Sequence, residues 1–259
     1  MLNRFPCLRQ LQNRTSRALV AVIAALLSTG CATNLSQQEA PVAVRDPLES
    51  VNRKIFSFNE SLDRAVLKPA ATAYKQAVPP VVQTGISNFF SNLETPWSSV
   101  NLMMQGRVRE SVSTAARFGT NTTFGIFGFM DVATHWGMPD RSEDFGLTLD
   151  TWGVGSGPFL VLPIFGPSNV RDALASPVDI LANAEGQVSN VAVRNSMTAV
   201  QIVSQRAEFL GLGDLVDQVA LDKYILMRDL HLKRRNRAAH RNQTEEQGSA
   251  LGDGVTKHE

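Results

Sequence analysis

The sequence predicts an all-α fold, a single helical domain with short irregular glycine-rich segments, and three observations lead there. Apolar residues recur at alternating spacings of three and four over several long windows. Two windows open on a cap-plus-proline pair, Asp46-Pro47 and Thr95-Pro96, suited to a first helical turn. No regular run of ten-residue alternating strands passes through the chain, which argues against a transmembrane barrel.

Residues 1–30 read as a signal peptide. They carry Arg4, Arg9, Arg14 and Arg17 with no acid, then the apolar run Ala18 to Leu27, then Ser28, Thr29 and Gly30. Ten apolar residues are half of the ~20 that a spanning helix needs, so a retained anchor helix is disfavoured. Small residues ending at Gly30-Cys31 resemble the lipobox of bacterial lipoproteins, in which the cysteine receives diacylglycerol and becomes the new, acylated N-terminus. One departure stands out: Ser28 occupies the place, three before the cysteine, where leucine is usual, and Leu27 lies one further away. An ordinary cleaved signal with an incidental cysteine is the alternative.

With Cys31 as the lipid attachment residue, the chain's two cysteines are accounted for. Cys7 leaves with the signal, and the exported protein, free of disulfides, must rest on its own core. About 229 remaining residues suffice for that. Two or three acyl chains, at ~0.8 kcal/mol per buried methylene, give essentially permanent anchoring. Ala32, rather than the aspartate of the inner-membrane retention pattern, favours the outer membrane. The whole chain has 25 basic and 24 acidic residues, and loss of four arginines leaves it mildly acidic, which does not suit a nucleic-acid binder.

Residues 31–45 are polar and aperiodic, a lipidated tether. At "DPLE" Asp46 is expected to cap, Pro47 to take the first helical position and Glu49 to complete a capping box. Leu48, Val51, Ile55, Phe58, Leu62 and Ala65 form one stripe, with Phe56 off it as a candidate lipid contact. After the turn at Pro79-Pro80, Val82, Ile86, Phe89, Phe90 and Leu93 share a face. Thr95-Pro96 starts the next helix, ending at Gly106, and Val108, Val112, Ala115 and Ala116 are expected inward on another that stops at Gly119.

The middle of the chain differs. Ten of the eighteen glycines lie from Gly106 to Gly166, among many aromatics. "FGLTLDTWGVGSGPFLVLPIFG" (145–166) fits two short strands around a glycine loop, and nearly as well two short helical pieces joined by a mobile loop. Helix resumes over 188–210 and from Asp214 to about Leu232, and the charged tail 233–259 reads as disordered. The domain is thus expected over residues 46–232.

No catalytic, cofactor or metal constellation emerges. His135, His231, His240 and His258 are scattered, and the mature chain lacks a second thiol. "GVGSGP" has no phosphate-loop lysine, and Val154 breaks a nucleophile elbow. "DRSED" (140–144) reads as a solvated turn rather than a calcium or acid-base site. "KRRNR" (233–237) is either a solvated helix end or a contact for anionic headgroups.

Five ordered blocks carry a resemblance. "DPLESVNRKIFSFN", "GISNFFSNLETPWSSVNLMMQG", "RFGTNTTFGIFGFMDVA", "FGLTLDTWGVGSGPFLVLPIFGPSNVRD" and "YILMRD", over residues 46–230, resemble the VacJ/MlaA lipoproteins. The resemblance implies an all-helical ring in the inner leaflet of the outer membrane, on its periplasmic face, around an amphipathic channel and beside a trimeric porin. Phospholipid strayed into the outer leaflet would pass through the channel to a soluble periplasmic carrier, for return by an inner-membrane ABC transporter. No bond is made or broken, so this is not an enzyme.

An apolar rim in acyl chains would suit the phenylalanines, methionines and valines, while the charged headgroup needs a polar path. Gly153, Gly155 and Gly157, with Pro158, become candidates for a flexible segment that widens or narrows the channel; a plain glycine loop is the alternative. Phe56, Phe58 and Asn59 either belong to ordinary helix packing or help shape the channel wall, where deletion of Phe58 with Asn59 would leave a misregistered, leaky ring. Asn52, Arg53, Asn101 and Arg171 are expected as buried hydrogen-bonding partners. A non-transporting envelope scaffold is the second function class, and a phospholipase the third; the missing Ser/His or metal constellation weighs against the latter.

Overall fold

A computed structural model of the chain describes residues 46–255. The signal peptide, Cys31 and the tether to residue 45 lie outside the described residues. Among the described residues the regular structure is helical apart from one small hairpin, as the sequence predicts. Helix α1 (Glu49–Leu62) runs through a π-helical turn (Asp63–Leu67) into α2 (Lys68–Ala77). Helix α3 (Pro80–Met104) packs on α4 (Val108–Phe124), and α5 (Val132–His135) and α6 (Phe145–Thr151) follow. Strands β1 (Phe159–Leu162) and β2 (Gly166–Asn169) pair antiparallel, Phe159 facing Asn169. The chain closes with α7 (Val170–Ala182), a 3-10 turn (Ala184–Gln187), α8 (Val191–Glu208), α9 (Leu210–Val219) and α10 (Lys223–Val255).

Several boundaries differ from expectation for identifiable reasons. Asp46 does not cap α1. It is buried, where it accepts from Asn52 Nδ2 at 3.0 Å and from the Tyr224 hydroxyl, so its carboxylate serves the interior. Glu49 completes no capping box and instead pairs with Arg53 one turn on, at 2.8 Å. Thr95-Pro96 starts no new helix: Thr95 Oγ1 donates back to the Ser91 carbonyl at 2.9 Å, and α3 continues through Pro96 against α4. Gly119 lies within α4, which ends at Gly125, where a Cβ would come within 2.1 Å of the Met130 carbonyl oxygen.

The segment 145–169 is neither two strands around the glycines nor two helices. Its first arm is helical, and its second is the hairpin, which turns at Pro163–Phe165 beyond the glycines. Helix α8 begins at Val191, and the expected helix from Asp214 is broken at Ala220–Asp222. Residues from 233 to Val255 continue α10 rather than forming an unstructured tail.

Burial is inverted relative to a water-soluble domain. Among the described residues, twenty buried side chains are polar or charged and eleven are hydrophobic, while 34 large hydrophobics are exposed. In water the ordering is the reverse. On α4 the expected inward set, Val108, Val112, Ala115 and Ala116, faces out, and Ser111, Thr114, Arg117, Thr120 and Asn121 face in. On α3 the buried row is Asn92, Thr95, Ser98, Asn101 and Leu102, continued at Gln105. The stripe on α1 turns outward too, since Leu48, Val51 and Phe58 are exposed and Asn52 is buried. Among the described residues, buried apolar side chains form two small clusters, one around Ala71, Ala207 and Leu210 and one around Phe159, Val161 and Tyr224.

With so many apolar side chains outward, the helices are held together largely by interior polar contacts. No helix among the described residues is long and apolar enough to cross a membrane.

Candidate functional site: a run of cavities beside a polar interior

Much of the polar interior is paired, although Thr114 Oγ1 and Asn92 Oδ1 are buried without a hydrogen-bond partner among the described residues. Arg107 meets Glu143 at 3.4 Å, and Gln105 Nε2 donates to Glu143 and to Thr148 Oγ1, which donates in turn to Asn101 Oδ1. "DRSED" is therefore not a solvated turn: Glu143 is buried, and Asp144 caps α6 and holds Arg235 at 2.6 Å. Arg117 bonds Asp131 at 2.8 Å and the Met138 carbonyl at 2.9 Å. Burial alone would raise the Asp131 carboxyl, yet donors from Thr134, Asn121 and Arg117 hold it at about 2.

Asn52 shows how this interior positions the hairpin. Its amide donates to the Phe159 carbonyl at 3.0 Å and accepts from the Val161 N–H at 2.9 Å. Asn59, two helical turns on, repeats the arrangement at the hairpin's tip. It donates to the Leu162 carbonyl at 2.9 Å and accepts from the Ile164 N–H at 2.8 Å. The two phenylalanines beside it exchange the expected places. Phe56 packs edge-on against Tyr224, 5.7 Å between centroids, whereas Phe58 is 54 % exposed. Arg53 stacks over the Tyr224 ring at 4.5 Å and pairs with Glu49 and Asp222.

The glycine segment is exposed from Gly153 to Pro158 and tied at both sides by Arg171. Arg171 pairs with Asp150, its Nη1 donates to the Val154 carbonyl at 3.2 Å, and its backbone N–H donates to Ser156 O at 3.1 Å. Gly153 and Gly157 have φ of +87° and +66°, the left-handed region that favours glycine. Gly155, between them, has open space where a Cβ would stand.

Four cavities among the described residues lie elsewhere. An apolar one of about 520 Å³ is walled by Ile86, Phe89, Phe90, Phe129, Ala192, Val193, Ser196, Met197 and Val200, between α3 and α8. Phe90 also borders a polar cavity of about 340 Å³ with Ser87, Ser91, Glu94, Ser204, Gln205, Glu208, Phe209 and Arg234. Arg234 in turn lines a cavity of about 140 Å³ beside Asp144, Asp172 and His231, and one of about 530 Å³ with Leu230, Lys233, Arg237 and Ala238. Chain-like and headgroup-like surroundings thus adjoin through Phe90. Gly153, Gly155, Gly157, Phe58 and Asn59 line none of these four, so the expected gating residues and the cavities are separate features.

Burial pushes Glu94 up, nearby Glu185 adds to the rise, and the bond from Gln201 Nε2 at 2.9 Å opposes it. His231 is lowered to about 4, chiefly by burial and further by Arg234 and Arg235, with Asp172 opposing. The unfolded chain binds this proton near 6.5, so the stability it contributes is complete above that pH and is lost as pH falls towards 4. With screening at its partly exposed ring, about 1–2 kcal/mol is involved. Melting curves of wild type and His231→Phe are expected to diverge across this window, the variant losing less; parallel curves would contradict it. Among the described residues no group of histidine, cysteine, aspartate and glutamate could hold a metal ion.

The model of a known family, MlaA lipoprotein, matches residues 44–238. A Shigella flexneri protein named intermembrane phospholipid transport system lipoprotein MlaA is 34% identical over 215 residues, 80% of this chain and 82% of the relative. Its Haemophilus influenzae namesake is 32% identical over 227 residues, 84% and 88% of the two chains. An uncharacterized protein of Rickettsia felis is 37% identical over 193 residues, 74% and 77%. A solved structure from work on the structural basis for maintenance of bacterial outer membrane lipid asymmetry matches with a TM-score of 0.66 and 34% identity. It covers 75% of this chain and 98% of its own.

Proposed function

The chain belongs to the MlaA lipoprotein family, and from that premise we propose that it removes phospholipid mislocalised in the outer leaflet of the outer membrane. The lipid is handed to a soluble periplasmic carrier, which maintains outer-membrane lipid asymmetry. The single observation that carries this reading is the pair of cavities that share Phe90, one apolar enough for acyl chains and one polar enough for a headgroup. A charged phosphate taken through hydrocarbon without partners would cost several kcal/mol or more, so a transporter of whole phospholipids needs both surfaces together.

The protein sits in the inner leaflet of the outer membrane on the periplasmic side, anchored through lipid on Cys31. Its outward apolar faces support this placement. So do two exposed tips, Ile126-Phe127 and Ile164-Phe165, where three of the four residues adopt φ of +53° to +71°. Holding a β-branched side chain there costs of order 1–3 kcal/mol, which burial of the tips in acyl chains would offset. A trimeric porin is the expected neighbour in the membrane, and an inner-membrane ABC transporter the expected destination beyond the carrier. The chemistry required of the protein is binding and release, with no bond broken.

The glycine segment is read as the part that adjusts the passage. A Cβ at Gly155 meets nothing within 4 Å, and proline there fixes φ, so the substitution tests stiffness. Gly155→Pro is expected to change outer-leaflet phospholipid about twofold or more at unchanged protein level; unchanged lipid asymmetry would remove the gating role.

The function itself is tested in cells with and without the gene by palmitate transfer from outer-leaflet phospholipid. The reading expects more exposed phospholipid in the deletion, restored by wild type and not by a Cys31→Ala variant. No change, with the protein confirmed in the outer membrane, would favour a scaffold.

A further inference from the structure

Two neighbouring arginines of α10 differ in what they do. Arg235 is taken up by Asp144 at 2.6 Å and Asp172 at 2.7 Å. Asp179, the third acid of that small cavity, accepts from Trp97 Nε1 at 2.7 Å and the Phe145 N–H at 2.8 Å. Arg234 is exposed and makes no ion pair or hydrogen bond with a described residue, although it borders three of the four cavities. In the polar cavity it is accompanied by two carboxylates, Glu94 and Glu208, and by small hydroxyls. A cation and two acids share one cavity without being paired to each other, and one of those acids is destabilised by burial. Of the two acids, Glu94 accepts from the neutral amide of Gln201 at 2.9 Å rather than from a cation.

We infer that this cavity receives a zwitterionic phospholipid headgroup, with its phosphodiester on Arg234 and its ammonium on Glu94 and Glu208. The guanidinium offers a forked pair of donors to phosphate oxygens, and an ammonium relieves the cost of keeping the Glu94 carboxylate in a largely buried place. The acyl chains lie across Phe90 in the apolar cavity. A lipid whose headgroup ends in hydroxyls supplies no cation and leaves the acids facing only phosphate. The inference rests on the transport reading and adds the headgroup class.

The test uses the full-length lipoprotein purified in detergent and equilibrated with mixed phosphatidylethanolamine and phosphatidylglycerol vesicles, its bound lipid counted by mass spectrometry. Wild type is expected to take the ethanolamine lipid over the glycerol lipid about fivefold. Arg234→Gln is expected to lose about tenfold in both, and Arg234→Lys to lose less. Glu94→Gln with Glu208→Gln is expected to keep total binding and bring the ratio close to one. Soluble glycerophosphoethanolamine, with the same headgroup and no chains, is expected to compete only at about a hundredfold excess or more.

An unchanged ratio in the double glutamine variant, or wild-type binding by Arg234→Gln, would overturn the assignment. Competition by the soluble headgroup at equal concentration would overturn the part given to the apolar cavity. Wild type that binds no phospholipid at all would contradict transport itself, and the headgroup site with it. Circular dichroism of each variant separates lost binding from lost fold, and Arg234 and Glu208, both exposed, are not needed for packing.

Discussion

Replacing Glu143 with leucine is expected to destabilise the protein by about 3–5 kcal/mol, among the largest effects available to one substitution. The side chains of Arg107 and Glu143 are 3 % and 0 % exposed and 3.4 Å apart. Removing the carboxylate leaves a guanidinium in a place with little water, and Gln105 Nε2 loses an acceptor. Arg107→Met should cost as much for the mirror-image reason. Together, Arg107→Met and Glu143→Leu are expected to recover most of the loss, because a well-packed apolar pair replaces a desolvated ionic one at little net cost. Denaturant unfolding in detergent gives the cycle. Additive losses would mean that the two side chains act independently and that the polar interior is not a coupled network.

Filling the apolar cavity should stop transport without unfolding the chain. Val200 lines it yet is 43 % exposed, so Val200→Trp can be accommodated with little overpacking. The indole would project into this cavity of about 520 Å³ and obstruct it. Outer-leaflet phospholipid is expected to rise at least about fivefold over wild type, close to the level of a deletion, at normal protein level. Wild-type asymmetry in this variant would mean that lipid does not use this cavity.

How much of this was legible in the sequence depends on which link is asked about. Helical class was, because stripes at three and four residues identify a helix whichever face turns inward. The direction of the stripe was not. Reading Val108, Val112, Ala115 and Ala116 as inward assumes water outside, and the same helix carries Ser111, Thr114, Arg117 and Asn121 at an equally good period. Five polar residues on α3 repeat the pattern from Asn92 to Gln105, so the polar row was as legible as the apolar one.

The hairpin was half visible in its alternation, but Asn52 and Asn59 hold it through side chain to backbone bonds across more than a hundred residues, and Tyr224 packs on Phe159. Such long-range partners leave no mark in local pattern. Phe56 and Phe58 exchanged places because Tyr224 covers one of them. Glu94 was passed over for a related reason, and Arg234 was seen only within the basic run 233–237, as either a solvated helix end or a contact for anionic headgroups. Each is an ordinary charged residue in its own helix, and they acquire meaning only when α3 and α10 border one cavity.

The central claim is that phospholipid occupies these cavities on its way through the protein, and a photo-crosslinker placed in the cavity wall asks this directly. Ser91 is exposed and borders the polar cavity, whereas Lys75 is exposed and borders none of the four. Irradiating cells that carry the crosslinker at either position, followed by mass spectrometry of the protein, should give a phospholipid adduct at Ser91 and none at Lys75. An equal yield at the two positions, or no adduct at Ser91 in protein confirmed to be in the outer membrane, would contradict passage of lipid through this site.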